Sequence, residues 1–394
     1  MNKKKIMVVI GTRPEATKMC TVIQELNRHN EEFETLLVLT GQHQEQLYQA
    51  LDAFNLKPDI DLNIMRERQT LTYITSESLI KLGEVIEDKK PDMVLVHGDT
   101  QAALCGSLAA YFHKIPTGHV EAGLRTYNKY SPWPEEMNRR IADSISDLLF
   151  APTSMSKDNL SKEGYLNEQI FVTGQTSVDA ALDTYKDEHV FENSTLNQID
   201  FAANKIITAT VHRRENYGLP MKQIFSAMKR IVDEHQDVTL IYPIHKSPTV
   251  RDIAYPILKG HERIKLIEPL GYPDMINLLG RTHLIMSDSG GLQEETAVFG
   301  KPLILLRDTT ERPEAVEANV VVLAGTEEEN IYSLTNRLLT DNSLYNSMKN
   351  SENPFGDGKA SKRIINILKK YFDFSESYPS EFISILDREP QISK

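Results

Sequence analysis

The sequence predicts an α/β protein with two parallel sheets, and three observations carry that prediction. Short β-branched runs alternate with amphipathic helical stretches almost from end to end, which is the rhythm of right-handed βαβ units. The 394 residues suffice for two domains of ordinary size, each with its own core. The rhythm breaks once, at the polar and weakly periodic stretch Asp183–Asn204, and then resumes.

Strands are expected at Ile6–Ile10, Thr35–Leu39, Met93–His97, Thr117–Val120 and Leu149–Ala151, with Ala16–Arg28 and Gln101–Phe112 among the helices between them. A helix beginning after Pro134 is expected to run to Leu149. The second series comprises Ile170–Thr173, Lys205–Val211, Thr239–Tyr242, Ile264–Ile267, His283–Met286 and Leu303–Leu306. Residues 1–175 and 176–360 are therefore read as two Rossmann-like domains with a cleft between them. The helical stretch Ser361–Phe372 is expected to cross back to the first domain, and residues 373–394 read as a loosely held polar tail. Ligands of such sheets bind at the carboxyl ends of the strands.

The 40% hydrophobic and 25% charged content is that of a globular chain, and no apolar run approaches the ~18 residues of a membrane span. The apolar run after Lys3-Lys4-Lys5 suits a first strand better than a signal-peptide core. Two cysteines, Cys20 and Cys105, suggest a reducing, cytoplasmic compartment. A net charge of −12 argues against nucleic-acid or acidic-membrane partners, so an anionic ligand must be held by local cations.

Chemistry gathers at the strand ends. Residues 118–140 mix Glu121, Glu135 and Glu136 with Arg125, Arg139 and Arg140, which suits proton transfer beside an anionic group. His97-Gly98-Asp99-Thr100 ends another strand, and Asp99 suits either an acid–base group or the N-cap of the next helix. Gly11 to Lys18 sits where a phosphate loop would sit, with Arg13 and Lys18 supplying charge in place of the missing dinucleotide glycines. In the second half, His212-Arg213-Arg214-Glu215-Asn216 and Tyr242-Pro243-Ile244-His245 follow strands. Asp288-Ser289-Gly290-Gly291 opens a helix in a way that suits a diphosphate, with Glu295 placed for ribose hydroxyls and Arg312 as a further cation. No metal-ligand spacing and no nicotinamide fingerprint is found, so neither metal nor cofactor is expected. Gly356–Ser361 mimics a phosphate-binding Walker loop, but Asn353 and Ala360 stand where its first glycine and its Ser/Thr belong.

These motifs resemble those of the non-hydrolysing UDP-N-acetylglucosamine 2-epimerases. The likeness rests on Gly-Thr-Arg-Pro-Glu-Ala (11–16), His-Gly-Asp-Thr (97–100), Gly-His-Val-Glu-Ala-Gly-Leu-Arg-Thr (118–126), Ser-Pro-Trp-Pro-Glu-Glu-Met-Asn-Arg (131–139), His-Arg-Arg-Glu-Asn (212–216), Asp-Ser-Gly-Gly (288–291) and Thr-Glu-Arg-Pro-Glu (310–314). The resemblance implies a GT-B-like fold and reversible conversion of UDP-GlcNAc to UDP-ManNAc, by loss and re-addition of UDP through a 2-acetamidoglucal. It implies catalytic roles for Asp99, Glu121, Glu135 and His212. It places Arg13, Lys18, Met275, Ser289, Gly290, Gly291, Glu295 and Arg312 at the substrate. It also implies a homodimer, product use in cell-surface glycans, and a second UDP-GlcNAc as activator at Gln42, Arg68, Glu135, Arg213 and His245. Against the usual family residues, Thr17, Cys20 and Thr21 replace Ile, Ala and Pro, Glu45 a glutamine, Gln175 and Ser247 asparagines, and Met275 an aromatic at the uracil. A glycosyltransferase, a nucleotide-sugar binding protein and a hydrolysing epimerase are the competing readings.

Overall fold

A computed structural model of the chain describes residues 2–41, 44–66 and 69–388, without the side chains of 44–46. It divides into two compact units, Met1–Ala180 with Phe355–Lys394, and Ala181–Pro354. The expected boundaries after 175 and 360 move because Gln175 and Asp179 are tied to the returning segment. The Gln175 amide donates to the Phe355 carbonyl at 2.7 Å, and the Asp179 carboxylate accepts the amides of Ala360 and Ser361 at 3.1 and 2.8 Å.

The first unit holds a parallel sheet of β1 (Lys4–Ile10), β2 (Phe33–Leu39), β3 (Ile60–Asp61), β4 (Met93–His97), β5 (Thr117–Val120), β6 (Leu148–Ala151) and β7 (Ile170–Val172), in the order β3-β2-β1-β4-β5-β6-β7. The central strands read as almost unbroken apolar runs because helices cover both faces, and Val8, Val38, Leu95 and Phe150 are essentially inaccessible. Sheet order reverses between β1 and β4, so the loops after Ile10 and His97 flank the switch point where parallel sheets bind ligands. Helix Arg13–Arg28 starts there, with Pro14 in its first turn, where a missing amide costs least. Helix Gln101–Phe112 starts there too, capped by the Thr100 hydroxyl, which accepts the Ala103 amide at 3.1 Å. The helix after Pro134 spans Glu135–Ile145 rather than reaching Leu149, because Leu148–Ala151 pairs with β5.

Helix Ala360–Tyr371 packs on Arg13–Arg28, where Ser361 Oγ meets Thr21 Oγ1 at 2.8 Å and Lys369 pairs with Glu32 at 2.9 Å. Residues 373–388 are not the loose tail the sequence suggested, while 389–394 lie outside the described residues. Phe374 packs edge-on against Phe33 at 5.7 Å, and Tyr378 lies 4.9 Å from the Phe171 ring. The Phe382 amide bonds to the Val172 carbonyl at 2.8 Å. The segment thus covers the free edge of β7, which would otherwise present unpaired backbone groups.

The second unit holds β8 (Lys205–Thr210), β9 (Val238–Pro243), β10 (Ile264–Ile267), β11 (Leu284–Ser287), β12 (Leu303–Leu305) and β13 (Val321–Leu323), parallel and in the order β10-β9-β8-β11-β12-β13. Its switch point lies between β8 and β11, so residues 211–216 and 288–291 meet at one sheet end. The polar stretch 183–204 belongs wholly to this unit. Asp274 accepts His189 Nε2 at 2.7 Å and the amides of Glu192 and Asn193 at 3.3 Å, and Asn277 accepts the Lys186 amide at 2.9 Å. Among the described residues, no helix is long and apolar enough to cross a membrane.

His283 in this unit stacks flat on Tyr345, with centroids 4.2 Å apart and planes at 2°. Burial, reinforced by the nearby lysines Lys205 and Lys301, pulls its pKa down from 6.5 to about 4. On acidification the unfolded chain takes up this proton first, so the contribution to stability is complete above the unfolded pKa and is lost as pH falls towards about 4. His283→Phe keeps the stacked ring and removes the titration. Urea denaturation should show a smaller loss of stability between about pH 7 and about pH 5 in the variant than in the wild type. Equal losses would mean that His283 does not contribute.

Candidate active site

In the first unit, Glu121 follows β5 with φ +68°, a left-handed conformation that a non-glycine residue adopts at a cost of ~1–2 kcal/mol. Its carboxylate is 8% exposed, ion-pairs with Lys18, and accepts Gln175 Nε2 at 2.8 Å. His97 Nε2, also buried, lies 3.5 Å from the same carboxylate. Lys18, expected at a diphosphate, is here the counter-charge of a carboxylate, and Gln175, which sequence reasoning treated only as a departure, bonds the same candidate residue.

Asp99 is not the helix cap, since Thr100 fills that place. Its side chain is partly open and ion-pairs with Arg139, while Asn138 Nδ2 donates to its carbonyl at 2.9 Å. Beneath it lies Glu15, 1% exposed, whose carboxyl accepts the Gly11 amide at 3.1 Å and the hydroxyls of Thr12 and Thr100 at 2.8 and 2.7 Å. Burial raises the Glu15 pKa despite these bonds. Glu15 thus joins the Gly11-Thr12 turn before Arg13 to Thr100, the neighbour of Asp99.

The adjacent Glu135 and Glu136 separate by environment. Glu136 is fully buried and accepts the amides of Thr126 and Tyr127, both at 3.0 Å, so it builds the preceding loop. Glu135 is half-buried in the first turn of its helix. Of the arginines nearby, Arg139 holds Asp99, while Arg125 pairs with Asp143 and Glu163 at 2.7 and 2.8 Å and Arg140 lies 3.8 Å from Glu163.

In the second unit, the buried Asp288 organises the end of β8. It accepts the amides of His212 and Arg213 at 3.0 and 2.9 Å and Asn216 Nδ2 at 3.1 Å, and it faces His212 Nδ1 at 3.2 Å. Burial opposes its charge, but His212 and these amides outweigh burial and hold its pKa below the ordinary range. The His212 ring stacks on His245 with centroids 5.7 Å apart. Burial, then the charge of His212, lowers the His245 pKa.

Next to this pair, a side chain on Gly290 would lie 3.2 Å from Arg213 Nη2 and 3.2 Å from Arg312 Nη1, so two guanidinium groups converge over a bare backbone. Gly291 is open on its Cβ side and Ser289 is partly exposed. Arg312 is steered by the buried Glu294 at 2.5 Å and Arg213 lies 3.8 Å from Glu311. Arg307, at 2.9 Å, and the other cations bring the Glu311 pKa down to about 2 against burial. Glu295 sits partly buried one turn along, and Met275 packs against the cluster of Phe191, Leu196 and Ile241. Such a seat suits an anion with two or more negative oxygens. Gln42 and Arg68 lie outside the described residues.

A family model described as UDP-N-acetylglucosamine 2-epimerase matches residues 24–369. The UDP-N-acetylglucosamine 2-epimerase of Bacillus subtilis is 50% identical over 382 residues, spanning 97% of this chain and 99% of its own. The crystal structure of Neisseria meningitidis UDP-GlcNAc 2-epimerase bound to UDP-GlcNAc is 44% identical, with a TM-score of 0.86 over 93% of this chain and 100% of that one. Methanocaldococcus jannaschii UDP-GlcNAc 2-epimerase, solved with UDP-GlcNAc and UDP, is 35% identical with a TM-score of 0.78, over 93% and 99% of the two chains. With the family model over most of the chain and 50% identity along nearly the whole of a relative, the chain belongs to the UDP-N-acetylglucosamine 2-epimerase family.

Proposed function

We propose that this protein reversibly epimerises UDP-N-acetylglucosamine at C2, giving UDP-N-acetylmannosamine without releasing free sugar. The C2 proton has no neighbouring carbonyl to acidify it. A base removes it as the C1–O bond breaks, UDP departs with the bonding electrons, and a 2-acetamidoglucal remains. A proton then reaches C2 from the other face and a UDP oxygen re-adds at C1. Protons and electrons balance, so the cycle calls for no external redox partner.

The observation that carries this reading is the pair of constrained carboxylates at the first unit's sheet ends, Glu121 held by Lys18 and Gln175, and Asp99 held by Arg139. They are assigned to proton transfer at C2, with Glu135 as the third carboxylate. His212, fixed by Asp288, serves the leaving group. Arg213, Arg312, Ser289, Gly290 and Gly291 seat the diphosphate, with Arg13 and Lys18 as further cations. Cations placed where charge builds up on departing UDP stabilise the transition state. Glu295 is assigned to ribose and Met275 to uracil, where a polarizable thioether packs on a flat ring. Family membership supports the associated expectations of a homodimer, a cytoplasmic location and supply of ManNAc to surface glycans.

In deuterated water with UDP-GlcNAc as sole substrate, mass spectrometry should find one deuterium at C2 of the intact nucleotide sugar. Free ManNAc and UDP would instead identify a hydrolysing enzyme, and no label a transferase or a binding protein. Glu121→Gln keeps the side chain's shape but leaves Lys18 without its counter-charge, so its fold is checked by circular dichroism; the folded variant should show kcat lowered by about 10²- to 10⁴-fold, the usual contribution of a positioned acid or base. An unchanged kcat would remove Glu121 from the mechanism.

We also propose that UDP-GlcNAc activates its own conversion, with Gln42, Arg68, Glu135, Arg213 and His245 as the residues involved. The stacking of His245 on His212 supports this, because a ligand touching His245 would bear directly on the leaving-group histidine. UDP-ManNAc alone should turn over slowly until a trace of UDP-GlcNAc is added. Full initial velocity with UDP-ManNAc alone would refute activation.

A further inference from the structure

Behind Asp99 and Glu121 lies a charged chain that the proposed reaction does not use. His119, on β5, and Asp143, on the helix Glu135–Ile145, are both completely inaccessible. The two His119 ring nitrogens face two acceptors, with Nδ1 2.6 Å from Asp143 Oδ1 and Nε2 2.7 Å from the Gly98 carbonyl. A carbonyl oxygen has no proton to give, so Nε2 carries one. Asp143 Oδ2 accepts Arg125 Nη1 at 2.7 Å and the Gly123 amide at 3.3 Å, the pattern of an ionised carboxylate. Burial opposes that charge, but His119 and Arg125 outweigh burial and hold the Asp143 pKa below the ordinary range. With Asp143 ionised, a bare Nδ1 would set lone pair against lone pair at 2.6 Å, so Nδ1 carries a proton as well. Arg125 is balanced in turn by Glu163, which accepts from Nε and Nη2 at 2.9 and 2.8 Å.

We infer that His119 is a positioning residue that donates from both ring nitrogens, and that with Asp143 it fixes the Gly98 backbone and through it the spacing of the Asp99 and Glu121 carboxylates. The inference rests on the assignment of those two carboxylates to proton transfer. The geometry is a two-sided clasp. The Gly98 amide donates to the Val120 carbonyl at 2.9 Å, while the Gly98 carbonyl accepts from His119. The peptide groups on both sides of Gly98, a residue with φ +64°, are thus pinned to the residues just before Glu121. Asp99 follows this peptide and Glu121 follows the clasping strand, so neither can shift without breaking a buried bond.

Two measurements test it. Nitrogen-15 NMR of the histidine-labelled wild-type protein near neutral pH should show one buried imidazole with both nitrogens protonated, which is lost in His119→Gln. A wild-type spectrum without such a ring would overturn the inference whatever the activity. Asp143→Asn keeps the shape but removes the charge that stabilises the second proton. It should lower kcat and the rate of C2 deuterium uptake together, on the order of 10²-fold, the effect of a small misplacement of reacting groups. KM should stay within about threefold, because the nucleotide-holding residues are untouched. A folded Asp143→Asn variant with wild-type kcat would overturn the inference. If the wild type itself exchanged no deuterium at C2, the proposed reaction would fail while the NMR result still decided the state of His119.

Discussion

The contact between Lys18 and Glu121 is the one on which the first unit's chemistry depends. It joins a helix that follows β1 to a residue that follows β5, and Gln175 adds the turn after β7 to the same carboxylate. Three segments far apart in sequence are therefore closed around one nearly buried charge. Such a charge without its partners typically destabilises a protein by about 3–5 kcal/mol, so the partners are obligatory, not ornamental. The strained backbone of Glu121 persists because this set of bonds over-determines it.

The second unit solves a similar problem with a different device. Asp288 sits at the carboxyl end of β11 and gathers two amides, an amide side chain and an imidazole from the loop after β8. The loop is shaped by a buried anion, and its cations are left to face outward. Glu294 and Glu311 repeat the principle for Arg312 and Arg213. Acidic side chains thus hold the cationic seat in place, which explains how a chain of net charge −12 presents a local anion site.

Much of this was legible in the sequence, and the residues show why. Apolar runs and their spacing marked the strands of both sheets, except Val321–Leu323 and the two-residue Ile60–Asp61, the latter too short for a periodicity to be read. Motif residues at strand ends were identifiable because parallel sheets put their ligands there. Partnerships were not legible. Nothing local tells that Lys18 meets Glu121, that Glu136 rather than Glu135 is consumed by the loop, or that Asp288 gathers His212. Those depend on side chains brought together across tens of residues. The departures Thr21 and Gln175, read as oddities, turn out to bond Ser361 and Glu121. The tail was misjudged because its polar composition hid the aromatic residues Phe374, Tyr378 and Phe382, which find partners on the sheet.

Gln175 has one more implication. Its side chain reaches Glu121, while its backbone amide is taken by Phe355, a residue made only after the whole second sheet. During synthesis the ribosome therefore releases the first sheet long before the strand-edge cover and the closing helix exist. Folding of this unit must wait, half finished, until the segment from Phe355 onward has been made. Glu121 has its side-chain partners once residue 175 is made, but the backbone that holds one of them, Gln175, is anchored only when Phe355 follows.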